Sequence, residues 1–298
     1  MRAPVGGQGG RFHDGGTPTQ PPDRGAPARV LLERRFADGE ETWAMLRRIA
    51  YDDRHLGELL VPADPATFTS DLTSVPSVLT WLVPRTGAHL PAALVHDALV
   101  GPADDGAAAY VSSEGHVVDR VEADRVFRDA MADTGTGVVR RWLAWSAVTL
   151  VTLLGRDQPW PAWQRWRYRL TVVASLLIIV WLGWCATWDL LDRSGPLAPG
   201  MPWIPESSLA AELVAGAAGA LVVPLVLALA WGRFRVAGAV LGTGLALLLH
   251  VTVVVGALSV LAWSAEVLVA RAPRVAAALA ALVVAAAAVV VVVVAVLR

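Results

Sequence analysis

Hydrophobic and polar positions divide the chain into two parts of different texture. Nearly all acidic residues precede residue 165, whereas residues 170–298 are dominated by runs of Ala, Val and Leu. Met1 to Ala28 is Gly/Pro-rich and polar without an apolar stretch. This composition predicts a disordered tail over residues 1–28 and no signal peptide. Val30-Leu31-Leu32 begins a strand, and Trp43 to Tyr51 is a second, ending at the turn Asp52-Asp53-Arg54. Gly57 to Pro62 reads as its return partner, giving a three-stranded antiparallel sheet. The second stretch also suits a helix by propensity.

Helical patterns follow. Ser74 is an N-cap candidate with Pro76 in the first turn, for a short helix to about Leu82. A second, nearly all apolar helix opens after Pro91 and runs to Val100, and a Gly/Ala-rich loop covers Gly101 to Gly115. Asp119 to Asp133 carries the stripe Ala123, Val126, Phe127, Ala130 and Met131 at helical spacing, with Arg125 and Asp129 as an i,i+4 pair on the solvent side. Val138 to Leu154 is amphipathic at its start and too short for a bilayer span, which needs about 20 residues. Then Trp160, Trp163, Trp166 and Tyr168 alternate with arginines, as interfacial anchors do.

Four apolar spans are predicted, at about Leu170–Trp188, Leu209–Trp231, Val236–Ser264 and Val275–Leu297. The expected architecture is a soluble α+β domain over residues 29–157, a Trp/Arg linker over 158–169, and a four-helix all-α transmembrane region over 170–298. Arginines before the first span, at the turn between the second and third (Arg233, Arg235) and at Arg298 outnumber Arg193, Arg271 and Arg274 on the opposite side. The positive-inside bias therefore predicts a multi-pass plasma-membrane protein with the soluble domain and both termini cytoplasmic. Gly238 and Gly242 form a small-residue face that could pair two copies. His250 lies mid-span and Glu212 near a span end, with no pattern of broken helices that would suggest a transporter.

Composition adds little to this picture. The mean hydropathy of +0.51 agrees with a membrane protein. The net charge of −1 argues against a nucleic-acid partner. All 25 basic residues are Arg, a coding bias that suggests a bacterial source. The single cysteine, Cys185, excludes a disulfide framework or a Cys-based metal site.

The most informative chemistry is His96-Asp97 on the apolar helix, because burying either group unpaired costs several kcal/mol. Periodicity turns His96 inward with Ala92, Ala93, Leu99 and Val100. Asp97 is rotated about 100° away and is free to bind a cation or cap a loop. Asp124, three residues before Phe127, borders an apolar face on a separate helix and is the candidate to orient the His96 ring. A histidine so held can act as a general base on water. Asp71 and His89 are further candidates near this helix. Asp71 equally suits local bonds to backbone amides, and a core histidine bonded to a carbonyl would explain His96 without catalysis. Asp104-Asp105 reads as solvated, and His13-Asp14 repeats the pair in the tail, where no site is expected.

The ordered segments TSDLTSVP, WLVPRTGAHLPAALVHDALV and VEADRVFRDAM resemble the bacterial and phage domain-of-unknown-function family 1353 over about residues 30–155. That resemblance implies a fold neighbourhood and no established activity. Val100 stands where an aromatic residue is usual. The His-Asp helix followed by a helix with Ala-Asp and an aromatic also resembles phospholipase A2 enzymes, the viral capsid type especially. This second resemblance implies His96 as the water-activating base, Asp124 as its orienter, Asp97 as ligand to a divalent cation such as calcium, and a lipid substrate. The Gly-rich calcium loop and the disulfides of those enzymes are missing. The expected function is thus a membrane-anchored domain with a hydrolase-like His/Asp site, or alternatively a non-catalytic binding or regulatory module.

Overall fold

A computed structural model describes residues 11–37, 40–72, 86–101, 107–155, 158–191, 200–201, 203 and 208–296. The chain divides into two compact units, residues 1–249 and 250–298.

The first unit opens with two antiparallel sheets. One has the strand order β2-β1-β5-β6-β8, from β1 (Phe12–Asp14), β2 (Asp23–Pro27), β5 (Ile49–Asp53), β6 (Gly57–Val61) and β8 (Val111–Ser112). The other has the order β3-β4-β7, from β3 (Leu32–Ala37), β4 (Glu40–Met45) and β7 (Thr69–Ser70). The α+β class is as expected, but the sheet is larger than three strands, and the stretch Trp43 to Tyr51 divides between the two sheets at Leu46-Arg47-Arg48.

The expected tail is also corrected, since residues 11–28 contribute β1 and β2. Strand β1 pairs with β5 in the register Phe12↔Tyr51, His13↔Ala50 and Asp14↔Ile49. The buried carboxylate of Asp14 accepts hydrogen bonds from the Arg47 guanidinium, one of them from Nε at 2.6 Å. That pair and Gly16 make the turn. Gly16 has φ +75, and a Cβ there would lie 2.2 Å from the Gln20 carbonyl oxygen.

Alternation along β5 and β6 sends Ile49, Tyr51, Leu59 and Val61 to one face, where they are fully buried. The hairpin register Ile49↔Val61, Tyr51↔Leu59 and Asp52↔Glu58 aligns them. Its turn is built by Asp53, whose Oδ1 accepts from the backbone N–H of His55 at 2.9 Å and of Leu56 at 3.1 Å, followed by Gly57 at φ +67.

Helices α1 (Leu90–Val100), α2 (Arg120–Asp133) and α3 (Val138–Leu154) complete the domain. Pro91 suits the first turn of α1, which ends at Gly101. Ala92, Leu94, Val95, His96, Ala98 and Leu99 are all buried, so α1 is a core helix and has no wide polar face. The Asp119 side chain caps α2 by accepting from Glu122 N at 2.8 Å. The stripe of α2 joins Tyr51, Leu59, Leu94 and Val95 in one core. The predicted helix at residues 74–82 and the pair Asp104-Asp105 lie outside the described residues, and the loop expected at 101–115 contains β8.

Apolar helices follow: α4 (Ala162–Leu190), α5 (Leu209–Leu229), α6 (Arg235–Arg271) and α7 (Pro273–Val296). Four stretches are long and apolar enough to cross a membrane, namely Ala162–Asp189, Ala210–Leu229, Gly232–Val251 and Val253–Arg271, the last two being parts of α6 with its preceding turn. This is a membrane-associated protein. The segment expected as a linker is mostly the first turns of α4, because its aromatics and arginines also fall at helical spacing. Tyr168 and Val172 pack on Trp231 and Phe234, and Trp231 Nε1 donates to Ser175 Oγ at 3.1 Å.

The Gly238/Gly242 face, expected to pair two copies, is used within the chain. A Cβ at Gly238 would lie 2.6 Å from Trp231 Cδ2, and one at Gly242 would lie 3.0 Å from Pro224 Cβ and 3.3 Å from Ile179 Cδ1. The second unit comprises the rest of α6 and α7, whose sequence after Arg274 is entirely apolar as far as Val296.

Candidate functional site

His96 on α1 and Asp124 on α2 meet in the core. His96 Nε2 lies 2.9 Å from Asp124 Oδ1, with the two residues 3% and 2% exposed. In the arrangement with an ionised carboxylate and a neutral imidazole, Asp124 accepts, Nε2 carries the hydrogen and Nδ1 is left with the lone pair. Phe127, one turn beyond Asp124, packs on the imidazole with ring centroids 4.9 Å apart. Among the described residues, His96 Nδ1 and Asp124 Oδ2 are both buried without a hydrogen-bond partner. A buried orphan of this kind costs about 1–3 kcal/mol, so the pair retains unused hydrogen-bonding capacity at two atoms.

α2 is held in place by its next residue. Arg125 forks onto Asp53, with Nη2 to Oδ1 at 2.7 Å and Nη1 to Oδ2 at 3.1 Å, and also reaches Glu122 at 2.8 Å and Asp129 at 3.0 Å. The predicted Arg125–Asp129 pair forms, but Arg125 points to the hairpin and not simply to solvent. Burial alone would raise the Asp53 carboxyl. The Arg125 guanidinium and the amides of His55 and Leu56 outweigh it and hold Asp53 below the usual carboxylate range. Burial would likewise lower Arg125, but Asp53 and Glu122 raise it. Beyond the same hairpin, Asp133 accepts from Tyr51 Oη at 2.9 Å and from Arg54 at 2.7 and 3.0 Å. Burial, then Asp133, pushes the Tyr51 hydroxyl far up, so it remains a donor.

Asp97 turns from His96 as its spacing predicts, and its Oδ2 accepts from Ser70 Oγ at 2.6 Å. Ser70 Oγ in turn accepts from Leu72 N at 3.1 Å, where Leu72 has φ 52. Asp97 thus ties α1 to the end of β7, matching its loop-capping alternative. Asp71 is exposed beside that tie, and His89 is buried at the N-terminus of α1.

Among the described residues, the group with metal-ligating geometry is not at Asp97. It is His13, Asp52 and Glu58, whose ligand atoms lie within 4.8 Å of one another. Asp52 and Glu58 escaped the sequence reading. Their cross-strand pairing follows from the hairpin, but His13 joins them only through the pairing of β1 with β5, which composition concealed.

No curated protein and no solved structure matches the chain. The fold and the pair meet within one segment. Residues 43–148, which carry Asp53, His96, Asp97, Asp124 and Arg125, match the family described as Protein of unknown function (DUF1353).

Proposed function

We propose that the domain is a hydrolase acting on ester bonds of lipids, with His96 Nδ1 as general base and Asp124 as the group that orients the ring. The carrying observation is an Nδ1 with no hydrogen-bond partner among the described residues, on an imidazole whose other nitrogen is held by a buried carboxylate; the reading takes that imidazole as neutral, with its lone pair on Nδ1. Such a base takes a proton from water as the water attacks an ester carbonyl, Asp124 stabilises the resulting imidazolium, and the imidazolium gives that proton to the departing alcohol oxygen as the ester C–O bond breaks. The apolar helices in the same chain argue for a lipid substrate, and the arginine distribution argues for a cytoplasmic domain. Asp97, engaged by Ser70, would serve as a cation ligand only if that bond is shared or given up.

The depth of burial favours a second reading, in which His96–Asp124 is an architectural tie between α1 and α2 in a non-catalytic module. The two are separated with the full chain in mixed micelles, following release of fatty acid from labelled phospholipid with and without Ca2+. The hydrolase reading expects His96→Ala to lower turnover by about 10²–10⁴-fold, the span of general-base catalysis, and Asp124→Asn to lower kcat more than it changes KM. Hydrolysis by His96→Ala at the wild-type rate, with the fold intact by circular dichroism, rules the hydrolase reading out. No hydrolysis by wild type, with His96→Ala less stable by about 1–3 kcal/mol, establishes the tie.

A further inference from the structure

A second cluster lies on the other face of the five-stranded sheet. Tyr51 and Leu59 face the helices, so alternation sends their neighbours Asp52 and Glu58, which are cross-strand partners, to the opposite face. His13 is paired with Ala50, two residues from Asp52, and so shares that face. Its ring is buried, with Nε2 2.8 Å from Glu58 Oε2 and Nδ1 3.7 Å from Asp52 Oδ2.

A cation already occupies the mouth of this cluster. Arg24 on β2 places Nη2 2.8 Å from Glu58 Oε2 and 3.3 Å from Asp52 Oδ1, while its side chain is 67% exposed. An exposed guanidinium is a weak occupant, because such pairs are worth little in water. We propose that His13, Asp52 and Glu58 form a binding site for a first-row divalent metal ion of the zinc class, with Arg24 as a displaceable stand-in.

The chemistry of the donors supports this assignment. One imidazole and two carboxylates are zinc-type ligands at about 2.0–2.2 Å, and three protein ligands leave a fourth position for water. Zinc bonds of that length at tetrahedral angles separate ligand atoms by roughly 3.4 Å, so the 2.8 Å His13–Glu58 pair needs only a small opening. His13 lies outside residues 43–148, so this chain completes the site with a segment beyond the family match. The site is independent of His96.

The test uses the full chain in detergent micelles, with any affinity tag removed and chelator-treated. Zn2+ is titrated by calorimetry and Co2+ by its visible absorption. Wild type is expected to bind one ion and to give the intense tetrahedral cobalt band. Loss of an outer hydrogen-bond partner already costs about 10–100-fold in affinity, so His13→Ala and Glu58→Gln are expected to weaken binding by at least about 100-fold. His116→Ala, which alters an exposed His–Glu pair, leaves binding unchanged. Arg24→Gln removes the competing cation and tightens binding, a gain that misfolding cannot mimic. No uptake by wild type, uptake retained by His13→Ala, or equal affinity in Arg24→Gln and wild type overturns the proposal and leaves the cluster as an ion-pair network.

Discussion

Replacing Asp53 by Asn tests whether the β5–β6 hairpin fixes α2, and with it Asp124. The Asp53 side chain is wholly buried, and Arg125 is 18% exposed. Asn keeps one oxygen for the amides of His55 and Leu56 but removes the charge opposite the guanidinium. Breaking a buried ion pair from one side costs about 3–5 kcal/mol. Arg125 retains Glu122 and Asp129, which brings the expected loss to about 2–3 kcal/mol. At about 1.4 kcal/mol per tenfold, core amides of α2 that open locally should exchange roughly 30–150-fold faster. The assay is hydrogen exchange by mass spectrometry on the full chain in micelles, comparing residues 120–133 with the strands.

The same substitution has a pH signature. Asp53 titrates below its unfolded value of about 3.9, so its stabilisation is fully present above that pH and is lost as pH falls through the lower folded value. Wild-type α2 therefore loses protection as the pH drops below about 4, and Asp53→Asn flattens that acid limb. Unchanged exchange across α2 in Asp53→Asn would refute the idea that this pair positions the helix.

Ser70→Ala removes the donor to Asp97 Oδ2 and the acceptor for Leu72 N, and should cost about 1–2 kcal/mol, read as faster proteolysis near residues 70–72. Leu94→Ala, at a fully buried position of α1, should cost about 2.7–5 kcal/mol through the cavity it leaves, read as a lower midpoint in thermal unfolding. Gly238→Ile should lower the thermal stability of the helical region without changing the oligomeric mass by light scattering, because its face meets Trp231 of the same chain. A change of mass with no loss of stability would reinstate that face as an interface between copies.

The helices were legible where punctuation and period agree. Pro91 and Gly101 bound α1, Asp119 caps α2, and Val138 to Leu154 appears with the ends its pattern predicts. Asp124 was legible as a partner because a carboxylate beside the Val126–Phe127 stripe must find a partner when buried, and His96 was the inward-facing group available. The N-terminal strands were not legible. β2 carries Asp, Arg, Gly and Pro, with little to bury, and its place depends on β1, the Asp14–Arg47 pair and the register with β5. The division of Trp43 to Tyr51 falls at Leu46-Arg47-Arg48, where two arginines interrupt the apolar run but no Gly or Pro marks a turn, so the stretch read as one element. In α4, Trp and Arg satisfy both an interfacial belt and a helical turn, so composition marked the surface and missed the helix start.

The dipeptide Asp52-Asp53 shows how one hairpin can serve two different sites. Successive strand residues project to opposite faces, so Asp53 engages Arg125 beneath α2 while Asp52 faces His13 and Arg24. Both carboxylates hang from the same backbone, yet their partners share no side chain. Substitutions there should therefore separate by face. Asp53→Asn should disturb the His96–Asp124 geometry through α2 and spare metal uptake, whereas Glu58→Gln, across from Asp52, should abolish uptake and leave exchange in α2 unchanged. If Asp53→Asn impaired both readouts equally, the hairpin itself would have been lost, and the two faces would be one cooperative unit with no independence between the sites.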